Sequence, residues 1–158
     1  MNAEAATYAH ELAWVLQEVG VSLTGLTAAQ LNWRPPGGTA NSAYVIASHV
    51  LSVTRVYVLG FGCAQPVTRD RPAEFAARGD DAKALLAGLE RLTADSAAAL
   101  GRLTPQDLDR RFVPPRELWG IGDITEISAR DALVHAIRHA GIHLGELRLT
   151  RDLALAAG

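Results

Sequence analysis

The chain has a single cysteine among its 158 residues, Cys63, so no disulfide can form within it and a reducing cytoplasm is the expected setting. Aromatic residues make up only 6% of it, which together with abundant Ala and Leu favours helix over sheet. Charge of one sign is also lacking. The formal net charge is −2 and the arginines are scattered, so there is no basic stripe to neutralise a phosphate backbone, and nucleic acid is not an expected partner. No run approaches about eighteen consecutive apolar residues, so no membrane span is expected. The first residues, MNAEAATYAHELAW, lack the charged and apolar regions of a signal peptide.

What is present is an apolar fraction of 49% with 20% charged residues, the balance of a globular protein. The length suits one domain over residues 1–158, with no break in composition to suggest a second. Tyr8, Leu12, Val15, Leu16 and Val19 recur at helical spacing from about Ala3 to Gly20, and a short helical turn is expected near Thr27 to Leu31. Asn41 and Ser42 offer N-caps for a second helix, with Val45, Ile46, Val53 and Val56 on one face and Gly60 and Gly62 at its end. A polar loop through Arg78 leads to a third helix, capped by Asp80 or Asp81 and ending near Leu103. Its inward stripe is Ala82, Leu85, Leu86, Leu89, Leu92, Ser96, Leu100 and Leu103. Prolines and glycines between Thr104 and Asp123 read as a long connection across the molecule. Ser128 and Asp131 form a capping-box pattern for a fourth helix reaching about Asp152. Four amphipathic helices without a convincing alternating segment predict an all-α four-helix bundle with long connections.

The chemistry lies in the histidines. His135, His139 and His143 follow one another in steps of four on the fourth helix, each step turning about 40°, so neighbours share a face and two imidazoles can reach one ion. Ala132, Ala136, Ala140 and Leu147 define the apolar side of that helix; His139 and His143 fall within it, while His135 and Glu146 flank it. His49 faces the core from the second helix, four residues after Val45 and four before Val53. His10 lies opposite its own helix's apolar stripe and reads as a surface residue. A single inward histidine is ordinarily a hydrogen-bonded core residue. Three on facing helices would leave several buried nitrogens to satisfy separately, and one shared ion satisfies them together. Three imidazoles leave coordination positions open, as catalytic sites do. They suit zinc, nickel, iron or copper alike. Glutamate does not follow His139, where Ala140 stands, so the H-E-x-x-H protease mechanism is excluded. Glu146, three residues after His143, can orient a ligand, take a proton from bound water, or stay solvated at the rim.

The fragment LNWRPPGGTANSAYVIASHV, in which Trp33 and Pro35 precede the helix bearing His49, and the downstream HAIRHAGIHLGELRLTRDL, with His139, His143 and Gly145, resemble the DinB/YfiT-like family of metalloenzymes over nearly the whole chain. The resemblance implies a four-helix bundle, often a homodimer, with zinc or nickel bound by His49, His139 and His143. It also implies that a low-molecular-weight thiol could serve as cosubstrate, as in the thiol-dependent transferases of that family. Glu146 departs from the family pattern, in which glutamine commonly follows the glycine.

Arg111 and Arg116 lie on the long connection expected to cover the metal, and their guanidinium groups suit a carboxylate substrate or a thiol cofactor. Gly141, inside the fourth helix, is expected to allow close helix packing. Cys63 lacks a base at helical spacing and reads as packing, as do Tyr57 and Trp119; Trp14 faces away from its helix's apolar stripe, as an interface residue would. The functional expectation is a metal-dependent enzyme acting on an unidentified small molecule, as a thiol-dependent transferase or a hydrolase. Its rival is a non-catalytic dimeric protein with a structural or vestigial metal site, whose fold would melt when the metal is removed.

Overall fold

The computed structural model describes residues 2–157. Asn2 accepts the Ala5 N–H and starts α1, Ala3–Leu23, whose Leu12, Val15, Leu16, Val19 and Leu23 are buried. Thr27 forms a capping box with Gln30 and begins α2, Ala28–Asn32, the short turn expected there. Ser42 caps α3, Ala43–Arg55, which continues without a break as a π-helical segment, Val56–Gly62. A wider turn of this kind displaces the ladder locally and is often found at functional sites. Gly62 is required where it stands, because a Cβ there would lie 2.6 Å from Leu133 Cδ2.

The polar loop predicted before Arg78 holds a further helix, α4, Arg71–Ala76, begun by the Asp70 carboxylate accepting the Ala73 N–H. The next helix, α5, spans Lys83–Leu100; its N-cap is Ala82, while Asp81 accepts the Lys83 N–H from one residue further out. It stops at Leu100 rather than Leu103. The connection from Thr104 is also more ordered than expected. It contains α6, Pro105–Asp109, and a two-residue strand β1, Arg111–Phe112, that pairs antiparallel with β2, Ile127–Ser128. This ribbon is too short for periodicity to reveal. Ser128 and Asp131 form the predicted capping box for α7, which runs over Ala129–Ala156.

Helix α1 packs on α7 and α5, and α3 with its π segment packs on α7. Their buried residues, with Leu31 and Leu108 from the short helices, form one apolar cluster. Ala43–Gly62 is long and apolar enough to cross a membrane by length and composition, which the test of consecutive apolar residues missed. Within the bundle 72% of that window is buried, and packing on several sides is the physical reason for its apolarity. Gly141 corrects a further expectation: it is exposed and a Cβ there would meet nothing within 4 Å, so close packing within the chain does not explain it.

Candidate metal centre

Helix α3 turns His49 inward because Val45, Ile46, Val50 and Val53 bury the same side. Helix α7 does the same for His139 and His143 through Ala136, Ala140, Leu144 and Leu147. One ring nitrogen from each of His49, His139 and His143 lies within 4.8 Å of the others. The His49 ring centre is 5.1 Å from that of His139 and 5.0 Å from that of His143, and the His139 and His143 centres are 4.4 Å apart. Two carboxylates stand behind the cluster. Glu74 Oε2 is 2.7 Å from His49 Nδ1, and Glu146 Oε2 is 2.6 Å from His143 Nδ1. A carboxylate at Nδ1 holds the proton there and leaves the Nε2 lone pair directed away from it.

Glu74 is the residue that sequence reasoning missed. It is buried on α4, and its Oε1 accepts from Ser52 Oγ and from Arg69 Nε at 2.8 Å, while Arg69 Nη2 reaches Oε2 at 3.0 Å. Burial pushes its carboxyl up, but hydrogen bonds from His49, Arg69 and Ser52 outweigh this and hold it at about 2. Arg69 Nη1 also donates to Leu118 O, tying the long connection to the site. Asp70, Pro72 and Glu74 together are a helix-start pattern, so α4 had a signal in the sequence. Its contact with His49, 25 residues away, had none.

Burial first, then neighbouring His143, His49 and His135 and the Arg69 guanidinium, push the His139 imidazole down to about 3, so it is neutral with a lone pair to give. Its Nδ1 is buried without a hydrogen-bond partner among the described residues. Three convergent imidazoles, two of them held by carboxylates and the third carrying an unsatisfied buried nitrogen, are the donor set that a divalent ion fits.

The remaining candidates separate clearly. His135 stacks on Tyr57, with ring centres 4.2 Å apart, and its Nδ1 meets Arg138 Nη2 at 3.1 Å; it flanks the cluster. Burial, then Arg138, pushes its pKa down. His10 and Trp14 are exposed. Cys63 is half-buried, and burial raises its thiol to about 11, leaving little thiolate at neutral pH. Arg111 pairs with Glu126 on the exposed ribbon, and Arg116 donates to Gly122 O within its own loop. The structure brings neither to the histidines. Arg69 and Arg71 stand there instead, with Val53, Tyr57, Trp119, Gly120, Ile121, His49, His135 and His139, around a hollow of about 340 Å³. A larger groove of about 640 Å³ runs past Ser48, Arg55, Arg91 and Asp95, away from the three histidines.

Fold and site together define a class: a helical bundle that assembles a three-histidine cluster between two of its long helices. The chain belongs to the DinB superfamily, whose family profile matches residues 11–147. Among solved structures it is similar to YfiT from Bacillus subtilis, described as a probable metal-dependent hydrolase with an unusual four-helix bundle topology. That match has a TM-score of 0.73 and 19% identity, over 95% of this chain and 87% of YfiT. A conserved protein from Enterococcus faecalis matches with a TM-score of 0.70 and 18% identity over 99% of both chains. The DinB-like protein YjoA from Bacillus subtilis matches with a TM-score of 0.62 and 18% identity, over 94% of this chain and 90% of that one. At these identities the likeness establishes the fold. No protein of curated function matches the chain.

Proposed function

We propose that this protein is a metal-dependent enzyme acting on a small molecule, with one zinc or nickel ion held by His49, His139 and His143. The observation that carries the reading is the convergence of three ring nitrogens within 4.8 Å, with carboxylates behind two of them. Such an ion, with open positions, supplies Lewis acidity and activates a bound water or thiol near neutral pH. Glu74 fixes the His49 tautomer and ring plane, Glu146 does the same for His143, and Tyr57 and Trp119 line the hollow where a substrate would sit. YfiT's description as a probable metal-dependent hydrolase supports water as the nucleophile. The family resemblance leaves a low-molecular-weight thiol as the alternative.

Metal content by plasma mass spectrometry on untagged protein tests the reading. A near-stoichiometric ion in the wild type, lost in His49→Ala, His139→Ala and His143→Ala, is the expected result; protein that stays empty after incubation with zinc and with nickel would overturn it. Turnover of small ester and amide panels with and without added thiol then separates hydrolysis from thiol transfer.

The proposal includes a cytoplasmic setting, supported by the lone, half-buried thiol of Cys63, and a homodimer. The dimer is supported by an exposed row on α7, Val134, Ile142, Leu149 and Leu153, beside Gly141 and Gly145. Sedimentation equilibrium that gives a dimer for the wild type and a monomer for Ile142→Glu is expected; a monomeric wild type would remove this part.

A further inference from the structure

The residues lining the hollow beside the three histidines include Arg69 and Arg71 and no aspartate or glutamate. The two arginines are not equivalent. Arg69 is almost fully buried and spends its guanidinium on Glu74 and Leu118 O. Arg71 has no carboxylate partner among the described residues; its guanidinium carbon lies 4.9 Å from the centre of the Phe75 ring, and that ring is 5.1 Å from His49. Two contacts through the Phe75 ring therefore separate the free cation from the histidine cluster. Beside it, a Cβ on Gly120 would stand 4.0 Å from Arg71 Nη1 and, apart from its chain neighbours, meet nothing closer. Trp119 lines the same space, and its buried indole N–H lacks a partner among the described residues.

A planar guanidinium held over an aromatic ring, in a hollow lined by no acid, is arranged for an anion. The rest of the wall, Val53, Tyr57 and Ile121, is apolar or aromatic. We infer that Arg71 is the recognition residue for a carboxylate or comparable anionic group of the substrate, whose apolar middle lies against Val53 and Trp119 and whose far end reaches the three histidines. This rests on the metal reading above and adds the substrate's chemical class to it. The charged residue is neither Arg111 nor Arg116, because both are occupied by partners of their own elsewhere.

The test uses the cobalt-loaded protein and two probes that differ at one end: 3-mercaptopropionate, which offers a carboxylate to Arg71 when its thiol binds cobalt, and the neutral 2-mercaptoethanol. Both are titrated under argon, following the thiolate-to-cobalt band in the near ultraviolet, and the readout is the ratio of the two affinities. The wild type is expected to favour mercaptopropionate by about ten-fold or more, the scale of one charge-assisted bidentate contact. The ratio should fall near one in Arg71→Gln. It should fall likewise in Gly120→Asp, which sets a competing carboxylate beside Arg71 from an exposed loop and leaves the helices untouched. A ratio near one in the wild type, or an undiminished ratio in both variants, as direct chelation of cobalt by the carboxylate would give, overturns the anion site while the metal site stands. Protein that takes up no cobalt overturns both.

Discussion

Glu74 has four donor contacts on two oxygens: His49 and one Arg69 nitrogen at Oε2, Ser52 and the other Arg69 nitrogen at Oε1. An amide cannot accept all of them, because its NH₂ would face a donor wherever it pointed. Glu74→Gln is therefore expected to weaken metal binding by about ten- to hundred-fold, in line with other partners that stand behind metal-bound histidines. Competition against a chromophoric chelator measures this, and unchanged affinity would show that His49 needs no such support. Glu146→Gln should cost less, since the amide oxygen can still accept the His143 Nδ1–H and the side chain is 38% exposed. Direct comparison of the two variants in the same titration checks the order.

Helix α7 bears two of the three histidines, so its start sets their height against α3. Ser128 accepts the Asp131 N–H and Asp131 accepts the Ser128 N–H, closing the capping box at the point where β2 ends. Ser128→Ala is expected to lower stability by about 1 kcal/mol, measured by urea unfolding. The backbone and hydroxyl of Ser128 hold the Asp131 carboxyl below its usual value of 3.8. A carboxyl lowered in the folded state contributes above its unfolded pKa, and that contribution is lost as pH falls through the folded value. The stability difference between the wild type and Asp131→Asn should thus be flat at neutral pH and shrink below about pH 4. On the facing element, Gly62→Ala drives a methyl into Leu133 at 2.6 Å in a buried part of the π segment. A loss of about 1–3 kcal/mol is expected, visible as a lower urea midpoint with an unchanged slope.

At the scale of the molecule, the core is an apolar cluster drawn from four long helices, and the histidines sit beside it rather than in place of it. The bundle is therefore expected to stay folded when metal is removed. Treatment with a chelator should leave the helical circular dichroism intact and lower Tm by an amount that tracks the free metal concentration. Loss of the helical signal itself would support the rival reading, in which the metal is structural. Arg130, bonded to Glu4 and Asp109, and Arg148, bonded to Glu18, tie α1 to α7 across the outside. These ion pairs are exposed or half-exposed, so the core carries more of the cohesion.

The sequence by itself determined the four long helices and the inward faces of α3 and α7. Apolar spacing near 3.6 residues, together with capping residues such as Ser42 and Ser128, is local information that one stretch of chain carries alone. His49, His139 and His143 were legible for the same reason: each lies on a face its own helix defines. Only the tertiary structure decided what surrounds them. Glu74 meets His49 across 25 residues, Arg71 rather than Arg111 or Arg116 faces the hollow, and the β1–β2 ribbon closes from strands of two residues each. Those pairings depend on how separate elements pack, and a contact between distant side chains leaves no periodicity in either stretch from which it could be read.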